Sequence, residues 1–409
     1  MDIYVNLFFS ILLAVVIMTF KELNVNKNKG TYKDTLYRKT RVIHGILYGL
    51  SLVLFIIFFI LNRKEYNIVT SIINALSIAL ITIPLSINTL YKTSFKDEEK
   101  YNHTKYVITD DYDINIAKKL NRAGIKIIYL SSDSENKYVS LEELETYDIR
   151  RNIAVDTNDY EKVLKIVPDS LYSDSLEGAY KLIKQSRGVR DNYTRTIKFN
   201  LAIYGGLLFT VIAITVQKFP LYYNLFLTML LKVLTYLNAE YVYKHLPFDT
   251  DLMYRNPMPE NVWIGFQELF ITFLEAFCIC FAFTIPYMFI LANGGILSLT
   301  YTILVITLLF IMLWLSYAYL SEKAFLVNIW KSFKSIRLIC IAIGMILLTV
   351  IVNFIPRTGF MNIGLKNYFS ALFISFIPII FIEITKLARF TSKKGRVKNV
   401  KNNKKYKRS

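Results

Sequence analysis

The stretch FNLAIYGGLLFTVIAITV, residues 199–216, runs for eighteen residues without a charged side chain. About 20 apolar residues are needed to cross roughly 30 Å of hydrocarbon, so this stretch reads as a membrane span. Working outward, eight further runs share the pattern: Ile3–Phe20, Val42–Leu61, Ile68–Tyr91, Leu221–Tyr243, Val262–Leu291, Ile296–Leu320, Ile336–Phe354 and Tyr368–Leu387. The first run lacks a basic start and follows Asp2, so it is expected to be a retained helix and not a cleaved signal. The expected fold class is a polytopic α-helical membrane protein of about nine spans with one small α/β domain. Composition agrees: 54% of the 409 residues are hydrophobic and 20% charged, and the mean hydropathy is +0.37. A soluble globular chain carries more polar surface than this. Three cysteines exclude a disulfide scaffold.

The net charge of +18 is local. Eleven Lys/Arg and no acid lie between Lys386 and Ser409, seven Lys/Arg in Lys21–Arg41 and four in Lys323–Arg337. The alternate loops hold five in total: Arg63, Lys64, Lys218, Arg357 and Lys366. Basic loops stay in the cytoplasm, which predicts an outside N-terminus and a cytoplasmic C-terminus. Basic residues that follow apolar spans are read as topology, and a nucleic-acid partner is not expected. The abundance of Ile, Lys, Asn and Tyr fits an AT-rich bacterial genome, and the expected location is a bacterial plasma membrane.

Between the third and fourth spans lies Lys92–Thr196, with 18 basic against 19 acidic residues. Its pattern predicts a strand at Lys105–Thr109, a helix over Ile114–Ala123, a strand at Ile125–Leu130 beside the first, a strand at Asn152–Val155 and a long helix from about Asp174. Apolar strands alternating with helices point to a small, partly parallel α/β layer. GxGxxG, GxxxxGK[ST], CxxC and HExxH strings do not occur. His44, His103 and His245 are far apart in sequence, and Cys278 and Cys280 point to different faces of a helix, so neither set is expected to hold a metal. No cofactor is expected. The chain divides into residues 1–91 (three spans), 92–196 (the α/β unit and stalk), 197–387 (six spans) and a basic tail, 388–409.

Several strings, in their order along the chain, resemble the P-type cation-transporting ATPases of the calcium-pump-like branch. HLPFDTDLMYRNPMPEN (245–261) resembles the loop after that family's sixth helix, with Asp251, Met253 and Pro257 in its Asp-x-Met-x-x-x-Pro. NYTRTIKFNLAIY (192–204) resembles the run into the fifth helix, SYAYLSEKAF (316–325) the loop after the eighth, and NIGLKNYFSALFISFIPIIFIEITKLARF (362–390) the tenth helix with its Glu-x-x-Lys exit at Glu383 and Lys386. TYKDTLYRKTRVI (31–43) and ALSIALITIPLSIN (75–88) resemble the third and fourth helices. INIAKKLNRAGIKIIYLSSD (114–133) resembles the phosphorylation domain, with Ser131, Ser132 and Asp133 where the family has Thr-Gly-Asp. VSLEEL (139–144) is similar to the segment Val-Ser-Pro-Glu-Asp-Lys, with Leu144 in place of its lysine. The resemblance implies a reduced HAD-like unit.

The departures define the expected activity. The phosphorylated Asp-Lys-Thr-Gly-Thr is absent, AVDTND (154–159) replaces the magnesium-holding Gly-Asp-Gly-x-Asn-Asp, and neither the Thr-Gly-Glu actuator nor a nucleotide domain has room. Phosphoryl transfer needs nucleophile, metal and charge-stabilising groups together. The expected function is therefore a pseudoenzyme with a binding, regulatory or scaffold role. The alternative is the transmembrane subunit of a cation or other solute transporter whose catalytic domains come from a separate chain. The bilayer is the expected partner, joined by another membrane protein or that separate chain.

Six residues form the candidate membrane site. Pro84 matches the family's broken fourth helix, where it frees backbone carbonyls or simply kinks the span. The neighbouring family glutamate and glycine are Leu85 and Ser86, and in the sixth helix the liganding positions are Leu234 and Asn238. Lys232, Tyr236 and Glu240 repeat every four residues and share a helix face. Lys232 and Glu275 both fall near the middle of their spans, where charge is costly. They read either as a fixed counter-ion in a cation path or as a structural pair, with Glu275 first and Glu240 second as the partner of Lys232.

Overall fold

A computed structural model describes residues 35–64, 66–80, 101–111, 113–130, 152–155, 160–167, 171–217, 225–238, 248–249, 251–255, 264–321, 336–354 and 360–388. The soluble part begins with β1 (Tyr106–Thr109), α3 (Ile114–Arg122) and β2 (Lys126–Tyr129). Asp113 starts α3 by accepting from Asn115 N at 2.8 Å and Ile116 N at 3.1 Å. Gly124, at φ 78°, ends it. The amides of Gly124 and Ile125 turn back to the carbonyls of Asn121 and Leu120, a closure that needs a left-handed residue. The chain then runs through β3 (Asn152–Val155), α4 (Tyr160–Ile166) and β4 (Leu171–Ser173).

The four strands stand in the order β2-β1-β3-β4, and every pairing is parallel. β1 and β2 lie side by side, as the two apolar runs separated by one helix length predict. From β1 the chain moves one way across the sheet to β2 and the other way from β3 to β4. Right-handed crossovers therefore put α3 and α4 on opposite faces. The strand alternation fits this: Val107, Ile153 and Val155 pack with Ile116 and Leu120 of α3, while Ile108 and Ala154 pack with Val163 and Val167 on the α4 side.

Ser175 then caps α5 (Leu176–Val216), accepting from Gly178 N at 3.0 Å. The first turns of α5 close the sheet core through Leu176, Ala179 and Ile183, and its last turns are the apolar stretch 199–216. At 41 residues it is about 60 Å long. The stalk and the span are thus one helix, and the division between residues 196 and 197 falls inside it.

The remaining helices are α1 (Thr35–Arg63), α2 (Ile68–Ala79), α6 (Leu225–Leu237), α7 (Phe266–Ala292), α8 (Leu297–Ala318), α9 (Ile336–Phe354) and α10 (Gly364–Ile374). The chain is a helical membrane protein with a small parallel sheet. The expected nine spans are not reached: among the described residues, five helical segments are long and apolar enough to cross a membrane. These are Leu176–Val216, Phe266–Ala292, Leu297–Ala318, Ile336–Phe354 and Gly364–Ala388. The described part of α6, 13 residues, covers about 20 Å of the roughly 30 Å of hydrocarbon, and residues 218–224 and 239–247 on either side lie outside the described residues. α2 is described to residue 80 only, and Ile3–Phe20 lies outside the described residues.

α8 is the hub of the membrane part. Every residue from Thr300 to Leu313 is buried, as expected of a helix apolar on all sides. α7, α9 and α10 pack on it, and α7 packs most extensively on α5. That last contact is close because Gly205 and Gly206 of α5 face Ala276 and Ile279 of α7; a Cβ on Gly206 would lie 2.5 Å from Ile279 Cγ2. Small residues let membrane helices approach in this way. After α10 the helix breaks at Ser375–Phe376 and resumes to Ala388. The cause is Pro378, whose ring opposes the carbonyl four residues back, at Ile374. Trp314 of α8 donates to Ser375 Oγ at 3.1 Å across this break.

Candidate functional site

The described residues of the expected membrane site are buried. Lys232 on α6 is 2% exposed, Tyr236 7%, Asn238 0% and Glu275 on α7 5%. Pro84 and Glu240 lie outside the described residues, as do Ser131, Ser132 and Asp133. The Lys232 ammonium sits 5.4 Å from the centroid of the Tyr204 ring, a cation–π contact between α6 and α5. One turn on, Thr235 shares a 2.7 Å hydrogen bond with the Tyr204 hydroxyl. Asn238 accepts from Ser316 on α8 at 2.9 Å and donates to Leu234 O at 3.0 Å. Glu275 accepts from the Tyr319 hydroxyl, just past the end of α8. The neighbours shown for Lys232 and Glu275 are thus different tyrosines. α6 packs on α2 and meets α5 through Lys232 and Thr235, and α7 packs on α5 and α8.

Asn238 and Glu275 converge on one place, the carboxyl end of α8. A helix ends with carbonyls that lack intrahelical partners and with a partial negative charge. Here cations answer both. Lys386 donates to Ala318 O, and Arg195 of α5 donates to Leu320 O at 2.5 Å. Lys386 is also held by Glu383 at 3.0 Å. Arg195, 1% exposed, forks further to Asp191 at 2.6 Å and to Asp249 at 2.8 Å. Arg255 binds Asp249 and Asp251, each at 2.9 Å, and Ser321 donates to Asp249 Oδ1 at 3.0 Å. This network locks three segments: α5, the segment around the 3₁₀ turn Leu252–Tyr254, and the residues after α8.

One turn closer to the sheet, the buried Arg187 guanidinium donates to Met253 O at 3.2 Å and to Ala123 O at 3.4 Å. Ala123 is the C-cap of α3, so one side chain ties the α/β unit, the Leu252–Tyr254 turn and α5 together. The sequence reading passed over Arg187, Lys198 and Arg195. Their available signal is the spacing of Asp191 and Arg195, four apart on a helix.

Burial pushes the Asp249 carboxyl up, but Arg195, then Arg255, then the Ser321 hydroxyl more than offset this and hold it below the usual carboxylate range. Burial pulls the Arg255 guanidinium down, and Asp191, Asp251 and Asp249 overcome that and raise it. A carboxyl lowered in the fold stabilises it fully above its unfolded value, about 3.9. That stability is lost as the pH falls through the lowered folded value. The expected result is an acid transition below about pH 4, to which Asp249→Asn contributes a smaller pH slope than the wild type. Melting curves of both proteins between pH 3 and 7 check this; equal slopes would exclude Asp249 as a source.

In the α/β unit, the chain reverses its direction of travel between β1 and β3, the place where open parallel sheets form a crevice at their carboxyl ends. Thr109 ends β1, and its hydroxyl oxygen accepts from Asp111 N at 2.9 Å. Residues 156–159, after β3, lie outside the described residues. Among the described residues, no group of three or more His, Cys, Asp or Glu could hold a metal ion.

A comparison with protein-family models finds no match, and a comparison with curated proteins finds none either.

Proposed function

We propose that this chain is a catalytically inactive relative of the P-type cation pumps, serving as a binding, regulatory or scaffold protein in a bacterial plasma membrane. In this reading the apolar helices correspond to helices of that family's membrane domain, with the N-terminus outside and the C-terminus in the cytoplasm. Lys92–Thr196 is then what remains of a HAD-like phosphorylation domain. The observation that carries it is α5: one helix that begins in the core of a parallel sheet, ends as an apolar span, and is tied by Arg187 to the sheet unit and to the Asp251-x-Met253 loop. That loop and the run into α5 are two of the strings that resemble the family. The missing Asp-Lys-Thr-Gly-Thr supports inactivity.

The expected result is that purified protein incubated with γ-labelled ATP forms no acid-stable phosphoenzyme. Labelling at one site per chain would sink the reading. The buried polar side chains Lys232, Thr235 and Asn238 inside an apolar bundle favour a second reading, a transporter subunit served by a separate catalytic chain. Purification of the native membrane complex separates the two: co-purification of a chain carrying Asp-Lys-Thr-Gly-Thr favours the subunit.

A further inference from the structure

The α/β unit carries its charge in two layers. Among the described residues of 101–187, the acids are Asp110, Asp111, Asp113, Glu161, Asp174 and Glu177. Each follows a strand or opens a helix, so all of them stand at the carboxyl edge of the sheet. The opposite, amino edge is basic. Lys105 precedes β1, Lys126 opens β2 and Arg122 ends α3. The turn at Gly124 and the bond from Lys126 N to Lys105 O at 2.9 Å bring these three together. All three are exposed. A helix favours base in its last turn, which accounts for Arg122. That rule does not reach Lys105 and Lys126, which stand at strand starts.

The amino edge faces the bilayer. β4 ends at Ser173 and α5 starts at Leu176, so α5 runs back along the sheet against the strand direction. Leu176 lies in the sheet core, and three turns later Arg187 reaches Ala123 O at the amino edge. From there the same helix continues for twelve residues to Phe199, where the uncharged stretch begins. Twelve residues rise about 18 Å, and the headgroup layer fills roughly 5–7 Å of that, which leaves about 12 Å. A lysine side chain plus one Debye length of about 8 Å spans such a gap. The acids stand four strand residues farther off, about 13 Å, and their field is screened at that distance.

We propose that the amino edge of the α/β unit, at Lys105, Arg122 and Lys126, docks on anionic lipid headgroups of the leaflet it faces. One continuous helix already holds the two surfaces close, so contact is an intramolecular step at high effective concentration. Charge complementarity selects the lipid: an anionic leaflet attracts basic groups near the membrane, and a zwitterionic one does not. Docking fixes the tilt of α5, so the position of the unit follows the charge of the membrane. The surface is independent of the ancestry proposed above.

The test uses the full chain in nanodiscs of phosphatidylcholine alone or with about one-third phosphatidylglycerol. A donor dye is placed on Asn121→Cys, with Cys278, Cys280 and Cys340 replaced by alanine, and energy transfer to acceptor-labelled headgroups is measured. The expected result is stronger transfer in the anionic discs, with the difference lost at high salt. Lys105→Gln, Arg122→Gln and Lys126→Gln should each lower the docked-to-free ratio about fivefold, and the triple variant should abolish the difference between lipids. The single variants decide the matter if the triple does not fold. Lys181→Gln, nearer the carboxyl edge on α5, should leave the ratio unchanged. Equal transfer in both lipids would overturn the proposal. So would a lipid difference that survives the triple variant, or an equal fall for Lys181→Gln, either of which makes the attraction a property of net charge. Transfer that rises only with a co-purified acidic protein would overturn it as well and make the edge a protein interface.

Discussion

Replacing Arg195 with alanine is expected to cost about 3–5 kcal/mol of stability, the cost of breaking a buried charge network from one side. The guanidinium has three partners: Asp191, Asp249 and Leu320 O. Its loss leaves the buried Asp249 with Arg255 and Ser321 alone and uncovers Leu320 O at the end of α8. Arg195→Lys should recover only part of the loss, because a point ammonium cannot reach all three oxygens at once as a planar fork does. Denaturant titration in micelles measures this. The diagnostic control is Arg195→Ala combined with Asp249→Asn. With the under-compensated carboxylate removed, the double variant should be more stable than the additive expectation by at least about 1 kcal/mol. Strict additivity would show that the pair is not coupled.

The second large effect is expected at the α5–α7 contact. Gly206→Leu should destabilise the bundle by roughly 3 kcal/mol, the upper part of the usual range for overpacking. Even the first added carbon meets Ile279 Cβ at 2.7 Å and the Ala276 backbone oxygen at 3.1 Å. The backbone oxygen can retreat only if the whole helix does. Gly49, whose added Cβ would meet nothing within 4 Å, is the control site for the same substitution. If Gly206→Leu melts within a degree or two of Gly49→Leu, the helices are not held at this distance in solution.

The parts of the fold that could be read in the sequence are those whose cause is local. β1, α3 and β2 are written in consecutive residues: an apolar run, Asp113 as a cap, an amphipathic turn pattern, Gly124 as a stop and a second apolar run. Only one handed crossover joins them, so side-by-side parallel pairing follows. The membrane character is equally local, since it depends on uninterrupted apolar length. The Arg195 network is different. Its partners lie 54 and 125 residues away, and nothing in the residues near 195 names them.

The burial of Lys232 and Glu275 is legible in the same local way. Both are buried, as charge in a hydrocarbon span is expected to be. The neighbour was inferred from chain order, on the rule that consecutive helices lie together. Packing adds what chain order does not give: α6 rests on α2 and, through Lys232, on α5, which α7 also contacts. The rings that meet these charges, Tyr204 and Tyr319, sit on segments that chain order does not single out.

The unbroken course of α5 has a mechanical consequence. It contains no proline, and the Gly206 contact holds it like a fulcrum near one end. From Gly206 to Leu176 is thirty residues of helix, so a tilt of about 5° around that point swings the far end by roughly 4 Å. The sheet rides on that far end through Leu176, Ala179 and Ile183. The helix is therefore one rod running from the bundle to the α/β unit, held at Gly206, Arg195 and Arg187. Load placed on the α/β unit is passed along that rod into the bundle, and a partner that clamps the unit would press on the buried helices through the same three points.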